Sequence, residues 1–295
     1  MTTFLVNPAS ANGATGRRWQ AIEGRAAEAG LRGTALFSER PGHLTELARM
    51  AAEEGEQLLV VVGGDGSVHE VANGIANLPE VEIAVIPRGT GGDFARSHGI
   101  PHRLGDALAL ARNGRARAVD LGRVAYRDGT SIFANVASAG MSGAIARRAN
   151  ETTKALGGKV SYLLATVSVF RSWQAGEVRV TVDGEERTGR MHDVIVALGP
   201  SIAGGMKLCP DADPADGQLD VLLLGDLAKR DLVLTMPKIY RGTHLPHPKA
   251  EALRGTTVTI EADAPVPVQL DGEQPGTTPA RFEILPGALR VRVPD

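Results

Sequence analysis

Apolar residues in the first 120 positions follow two alternating rhythms. Short unbroken runs rich in β-branched residues occur at 3–6, 33–37, 58–62 and 83–86. Between them the apolar positions recur at helical spacing. Leu44, Leu47, Ala48 and Ala51 define a helix over 44–54 that Gly55 stops, and 18–29 reads as a helix closed by Gly30. Further helices are predicted at 68–75, 93–98 and 104–112. The run at 58–62, Leu-Leu-Val-Val-Val, is apolar at every position, as in a parallel strand buried on both faces. Strands alternating with helices at this spacing predict an open α/β sheet.

Beyond Asp120 the rhythm changes. Segments 121–126, 177–182, 193–198, 219–224, 256–261 and 266–270 are short, β-branched and bounded by Gly, Pro or Asp. They predict an antiparallel sandwich or barrel, interrupted by one long helix at 160–173. The expected fold class is therefore α/β plus all-β: an N-terminal open, mostly parallel domain and a C-terminal β-sandwich, with the boundary between Asp120 and Leu121.

Composition narrows the function classes. A chain of 295 residues is long enough for two cores, and 43% hydrophobic with 22% charged residues is ordinary globular composition. Its 32 basic and 34 acidic side chains leave a net charge of −2, so no global basic field favours nucleic acid. Any contact with an acidic surface must be local. A single cysteine, Cys209, is expected to be buried and fits a reducing cytosol. The opening MTTFLVNPAS does not read as a signal peptide, and no apolar run approaches the ~20 residues of a membrane span. A cytoplasmic protein without a transmembrane segment is expected.

The chemistry concentrates where the first domain's strands end, the place where open α/β sheets bind ligands. Three such ends carry unusual turns: Asn7-Pro8-Ala9-Ser10-Ala11-Asn12-Gly13, Gly63-Gly64-Asp65-Gly66-Ser67, and Pro87-Arg88-Gly89-Thr90-Gly91-Gly92-Asp93. Glycines let a backbone turn tightly and bring N–H groups against an anion, and the following helix N-terminus adds partial positive charge. Ser67 with Glu70 three residues later has the spacing of a capping box, which would start that helix at Ser67. A carboxylate amid a phosphate cradle repels phosphate unless a cation stands between them, so Asp65 points to a magnesium-assisted nucleotide site. The plainer reading is a tight turn in which Asp65 caps backbone amides. Asp93 offers a second oxygen ligand for a metal. Asn7, Ser10 and Asn12 add neutral hydrogen-bonding groups, with Arg17 and Arg18 one helical turn later. Neither G-x-x-x-x-G-K-[ST] nor a strand-following G-x-G-x-x-G is present.

Gly63-Gly64-Asp65-Gly66-Ser67 with Glu70-Val71-Ala72-Asn73-Gly74 resembles the GGDGT…E-V-x-N-G block of the diacylglycerol kinase and sphingosine kinase catalytic domain. Asn7-Pro8 with Gly13 is similar to its N-P-x-S-G opening, and Pro87 to Arg96 to its P-x-G-T-x-N-D-F-A-R block. Asp216-Gly217-Gln218-Leu219-Asp220-Val221 resembles its D-D-G-x-L-D-V segment, and Asp271-Gly272-Glu273 its late D-G-E. The resemblance runs in order over nearly the whole chain. It implies a nucleotide domain of residues 1–120 and 276–295, a substrate domain of 121–275, and an active site in the cleft between them.

It also implies transfer of the ATP γ-phosphoryl group to a hydroxyl of a membrane lipid, most simply diacylglycerol, by a peripherally membrane-associated protein. Gly63, Gly64, Asp65, Gly66, Ser67, Glu70, Gly89, Thr90, Gly91 and Asp93, with Asn7 and Ser10, would hold the nucleotide. Mg2+ would be held by Asp65 and Glu273 with Asp93, Asp271 would be the general base, and Asp216 would bind a structural magnesium. Asp65 could exchange roles with Asp271, and Asp271-Gly272 is also a common hairpin dipeptide. Two departures stand out: Gly92 replaces the family's Asn, and Ser142 stands where an acidic residue is usual.

Two alternatives are a soluble kinase of the NAD kinase type and a pseudokinase that binds lipid or nucleotide without turnover. A homodimer is left open. His244 and His247 are expected at the surface, Lys238, Arg241 and Lys249 on a solvated loop, and Asp120 is expected to pair with Arg96.

Overall fold

The computed structural model describes residues 2–89, 91–151 and 158–294. Packing divides the chain into two units, Met1–Leu121 with Pro286–Asp295, and Gly122–Leu285.

The first unit alternates as its apolar rhythm predicts. Strands β1 (Thr2–Val6), β2 (Thr34–Phe37), β3 (Leu58–Gly63) and β4 (Glu82–Pro87) are interleaved with helices α1 (Ala14–Arg17), α2 (Trp19–Glu28), α3 (His43–Glu53) and α4 (Asp65–Ile75). Helices α5 (Asp93–Ser97) and α6 (Leu104–Asn113) follow, then β5 (Arg115–Tyr126). The strands pair in parallel in the order β2-β1-β3-β4. Residues 58–63 are buried at every position, which is why the strand needs no polar face. Phe4, Trp19, Ile22, Val60, Ile86 and Leu108 fill one core, with Phe4 and Trp19 edge to face at 5.7 Å.

Helix α4 begins at Asp65, not at Ser67, with Gly64 as its N-cap. The capping box does not form. Ser67 lies inside the helix and is 2% exposed, while Glu70 Oε2 accepts the Leu44 N–H at the start of α3. The Thr45 hydroxyl donates to Glu70 O at 2.8 Å, and a Cβ on Gly74 would sit 2.5 Å from Thr45 O. Glu70 and Gly74 therefore seat α4 on α3.

The second unit is mostly antiparallel. It contains β6 (Gly129–Phe133), β7 (Val136–Gly140), α7 (Met141–Glu151), α8 (Gly158–Ser172), β8 (Gly176–Val182), β9 (Glu185–Ala197), β10 (Ser201–Ile202) and β11 (Met206–Lys207). Then come β12 (Leu219–Gly225), α9 (Lys229–Arg241), β13 (Ala250–Gly255), β14 (Thr257–Ala262), β15 (Pro267–Leu270), β16 (Glu273–Thr277) and β17 (Ala280–Val293). Strand β9 changes partners along its length: its first half pairs with β8, and residues 193–197 lie between β7 and β12. Such a switch is how a sandwich turns a corner. Phe133 and Phe282 meet edge to face at 6.1 Å inside this unit, among fully buried Val180, Val194, Val196 and Ile260.

Residues 280–283 of β17 pair antiparallel with β14, so the chain leaves the second unit only at Leu285, later than the 275/276 division expected. Its C-terminal part then pairs in parallel with β4 through Arg290↔Glu82 and Val291↔Ile83. Lys238 and Arg241 lie on helix α9 rather than on a loop. His244 is 2% exposed, with Nε2 3.1 Å from Leu208 O, because its ring closes the core beside Leu208. Cys209 is buried, and burial raises its thiol pKa. No described helix is long and apolar enough to cross a membrane.

Candidate active site

Strands β1, β3 and β4 end side by side, with Val6 opposite Val62 and Gly63 opposite Pro87. The three glycine-rich turns therefore leave adjacent strand ends. They are also fastened to one another. Asn7 Nδ2 donates to Ser67 Oγ at 3.1 Å, tying the first turn to α4. Asn7 Oδ1 accepts the Ala9 N–H, and Ser10 Oγ lies 2.9 Å from Asn7 O and 2.6 Å from Thr15 Oγ1. These polar groups shape the first turn from within. Arg17 folds back over the same turn, its Nη2 donating to Asn12 O.

The second and third turns meet glycine to glycine. A Cβ on Gly89 would sit 2.6 Å from Gly64 Cα, and one on Gly64 would sit 3.1 Å from Gly89 Cα. A side chain at either position would push the turns apart. A Cβ on Gly63 would run into Ser67 Oγ. Gly66 is different: among the described residues nothing lies within 4 Å of its missing side chain, so their packing does not demand glycine there.

Asp65 is the clamp of this construction. Its Oδ2 accepts the Gly92 N–H at 2.8 Å and its Oδ1 the Phe94 N–H at 2.9 Å. The plainer reading, a carboxylate capping backbone amides, is thus realised across two turns. Asp93 is buried and bound to Arg96, with Nη1 to Oδ1 at 2.6 Å, and Arg96 also reaches Gly91 O. The expected Asp120–Arg96 pair is replaced by this one, and Asp120 accepts the Gly287 N–H instead.

Two carboxylate oxygens converge on Gly91. A Cβ built there would lie 2.7 Å from Asp65 Oδ2 and 3.3 Å from Asp93 Oδ2. Two carboxylates brought this close supply the oxygen donors that a hard divalent cation takes. Among the described residues no group of three or more His, Cys, Asp or Glu could hold a metal by itself. A magnesium ion here would complete its shell with phosphate oxygens and water, its usual habit. Thr90, expected to contact nucleotide, lies outside the described residues.

Three residues near these turns were given no role by the sequence. Arg88 follows the end of β4, and its Nε is buried with no hydrogen-bond partner among the described residues. His102 packs over Gly92, whose φ is +67°, so that a Cβ at Gly92 would run into the imidazole. The ring fills the space that the family's Asn side chain would enter. His98 packs tilted against Phe94, ring centroids 4.3 Å apart, and burial followed by the Arg117 charge lowers its pKa to about 4.

The second unit holds the remaining candidates. Asp271-Gly272 forms the β15–β16 hairpin turn, both residues at positive φ (48° and 99°), as the dipeptide's turn preference predicts. The turn also aims the Asp271 carboxylate at the chain before β7. Oδ2 accepts the Ala134 N–H at 2.7 Å, and Oδ1 accepts those of Asn135 and Val136 at 3.0 Å each. Glu273 opens β16 with its side chain exposed.

Asp216 Oδ1 accepts the Gln218 N–H at 3.0 Å, and its Oδ2 meets Arg254. Arg254 also lies 3.4 Å from Asp220. Within the expected structural magnesium loop, Arg254 thus lies against both carboxylates. At Ser142, where the family has an acid, the hydroxyl and the amide both donate to Asp193 Oδ2. A carboxylate from β9 is therefore present at this helix start, brought in from a different strand.

Comparison with known proteins finds a family for each half of the chain. Residues 1–124 match the family described as the diacylglycerol kinase catalytic domain, and residues 135–293 match the YegS C-terminal NAD kinase beta sandwich-like domain. A diacylglycerol kinase of Staphylococcus carnosus is 29% identical over 294 residues, covering 99% of this chain and 94% of the relative. One of Staphylococcus aureus strain JH9 is 30% identical over 271 residues, covering 91% and 84%.

The solved structure of a diacylglycerol kinase from Bacillus anthracis superposes with a TM-score of 0.76 at 22% identity, covering 99% of this chain and 96% of that one. Yeast NADH kinase complexed with NADH shares the fold more distantly, with a TM-score of 0.53 at 10% identity over all of this chain and 84% of that one. With both halves matched by these two domain families and a 30% identical diacylglycerol kinase aligned over 91% of this chain, the chain belongs to the diacylglycerol kinase catalytic-domain family and is a phosphotransferase.

Proposed function

We propose that the protein transfers the γ-phosphoryl group of ATP to the hydroxyl of a membrane lipid, with diacylglycerol as the first candidate, while peripherally associated with the membrane from the cytoplasmic side. The observation that carries this reading is the cradle of the first unit, three turns fastened together with the Asp65 and Asp93 carboxylates both close to Gly91. Phosphoryl transfer asks for positioning and charge neutralisation more than for covalent chemistry, and a rigid cradle supplies the first.

The residues of the chain divide the work. Backbone amides after β3 and β4 approach the phosphates, with Gly66 leaving the side of closest approach open. Asp65 holds the third turn against the second through the Gly92 and Phe94 amides, and with Asp93 it would hold Mg2+. Glu273 joins them on the strength of the family resemblance. Bound magnesium supplies neutralisation of the charge that develops on the phosphate oxygens. Arg96 holds Asp93 in its rotamer. Asp271, its carboxylate oriented by three amides, accepts the proton of the lipid hydroxyl as that oxygen attacks.

The test is transfer of labelled γ-phosphate from Mg-ATP to a panel of hydroxyl lipids in mixed micelles, with NAD alongside. Labelled diacylglycerol is the expected product. Labelled NAD would replace this reading with a soluble NAD-kinase-type activity. ATP binding with no labelled acceptor would replace it with a pseudokinase.

A further inference from the structure

Apolar exposure in this protein is concentrated. Of the eight large hydrophobic side chains exposed among the described residues, six lie on α8 and α9: Leu164, Val167, Val233, Leu234, Met236 and Tyr240. The two helices belong to the same unit and touch, with Lys229 Nζ at the start of α9 donating to Arg171 O at the end of α8.

Helix α9 is apolar on two faces. Leu232, Thr235 and Ile239, spaced i, i+3, i+7, are buried against the unit's own core. Val233, Met236 and Tyr240 repeat the same spacing one residue later and point outward, and Leu234 beside them is 70% exposed. The core explains the first face. No described residue of the unit covers the second.

The charges on the helix say what would cover it. Lys229, Arg230, Lys238 and Arg241 are all exposed and interleave with the outward apolar residues, against a single acid, Asp231, which pairs with Arg230 at 3.5 Å. The chain as a whole carries a charge of −2, so this helix is a local basic patch on an acidic protein. Lysine is depleted from the cores of protein–protein interfaces. At a membrane surface its stem lies along the apolar layer while the ammonium meets lipid phosphates. Apolar side chains flanked by Lys and Arg are the composition of helices that lie in the bilayer interface.

We propose that the outward faces of α8 and α9 form a docking surface for an anionic bilayer, Val233, Leu234, Met236 and Tyr240 entering the acyl boundary and Arg230, Lys238 and Arg241 meeting the headgroups. The surface deepens the lipid-kinase reading and rests on it for its purpose, since an enzyme acting on a lipid must sit on the membrane. Its physical argument stands on exposure and charge alone.

The experiment is co-sedimentation of the full chain, without ATP, with vesicles of phosphatidylcholine alone or with phosphatidylglycerol. The wild type is expected to bind the anionic vesicles and to lose binding as salt is raised. V233D/L234D and K238E/R241E each lower the bound fraction at least tenfold while melting temperature stays at the wild-type value. Their transfer to a short-chain, water-dispersed diacylglycerol is expected to remain at wild-type rate, with loss confined to vesicle-held substrate.

Wild-type binding by V233D/L234D, or no binding of wild type to anionic vesicles, overturns the surface. So does a dimer in solution that V233D/L234D dissolves, which would assign the face to a second copy of the chain. Vesicle binding that depends on these residues, with no phosphate transfer to any diacylglycerol, supports the surface and overturns only the acceptor assignment.

Discussion

Asp65→Asn separates the clamp seen at this carboxylate from the magnesium role proposed for it. In the wild type each oxygen accepts a backbone N–H, from Gly92 at 2.8 Å and from Phe94 at 2.9 Å. Asparagine keeps one acceptor oxygen and turns an NH2 group towards the other amide. One charge-assisted bond worth about 1.5–3 kcal/mol is lost, and the other is weakened by the loss of charge. A destabilisation of about 2–3 kcal/mol follows, which for units of this size lowers Tm by roughly 5–10 °C. The protein should remain folded at 25 °C, because domains carry about 5–15 kcal/mol of net stability.

The chemical loss is larger. Removing one anionic ligand beside Gly91 weakens Mg2+ binding and leaves the third turn less firmly placed. Electrostatic contributions at phosphoryl-transfer sites are worth several kcal/mol, so kcat/KM should fall by ~100-fold or more. The assays are thermal unfolding and steady-state transfer to diacylglycerol across a magnesium titration. The expected result is a modest Tm drop, a large loss of kcat/KM, and an apparent magnesium requirement moved to higher concentration. A Tm drop with wild-type kcat/KM and an unchanged magnesium dependence would refute the catalytic half of the argument and leave Asp65 a clamp alone.

Gly66→Ala should stabilise α4 slightly, by up to about 1 kcal/mol, because nothing meets the new methyl, yet raise the KM for ATP at least tenfold by crowding the phosphate side; an unchanged KM would show that no ligand approaches there. Asp271→Asn should abolish transfer to lipid while leaving ATP affinity in the first unit near wild type, as equilibrium nucleotide binding would report; full transfer by a folded Asp271→Asn protein removes it as the base. Gly92→Asn places a side chain where the His102 ring lies and should displace that ring, with an accompanying change in ATP KM; His102→Ala should permit Gly92→Asn without loss of Tm, and an equal loss in both backgrounds would contradict the steric account.

Burial raises the Asp193 carboxyl to about 7, against the pull of the Ser142 hydroxyl and amide. An acid raised above its unfolded value near 3.9 stabilises the fold below that value and loses the contribution as pH rises to about 7. Tm should therefore decline between about pH 4 and pH 7, and Asp193→Asn should flatten the decline; parallel profiles would exclude Asp193 as its source.

The turns were legible in the sequence because their signal is local. An apolar run that halts at Gly-Gly-Asp-Gly has few structures available, and the strand and the helix around it were placed within a few residues. The purpose of each turn residue was not legible, because its partner lies elsewhere in the chain. Asp65 reaches amides 27 and 29 residues away, and Asn7 reaches a hydroxyl 60 residues away. Ser67 and Glu70 had the spacing of a local cap, and two distant contacts outcompeted it: Asn7 drew in the first and the Leu44 amide the second. Helix α9 was missed for the opposite reason. Pro237 interrupts its pattern, and its outward face carries apolar residues where a helix on a folded core should be polar.

The carboxylate at Ser142 shows the limit most sharply. Position 142 reads as the loss of an acid, yet Asp193 supplies one from 51 residues downstream. A departure from a motif counts the residues of one segment, whereas a site counts the groups that reach one place. Gly92 follows the same logic, since the side chain absent there is matched by an imidazole ten positions later that fills the vacated space. At both departures a polar group from elsewhere in the chain occupies the place. They leave untouched the carboxylates on which the transfer itself is argued.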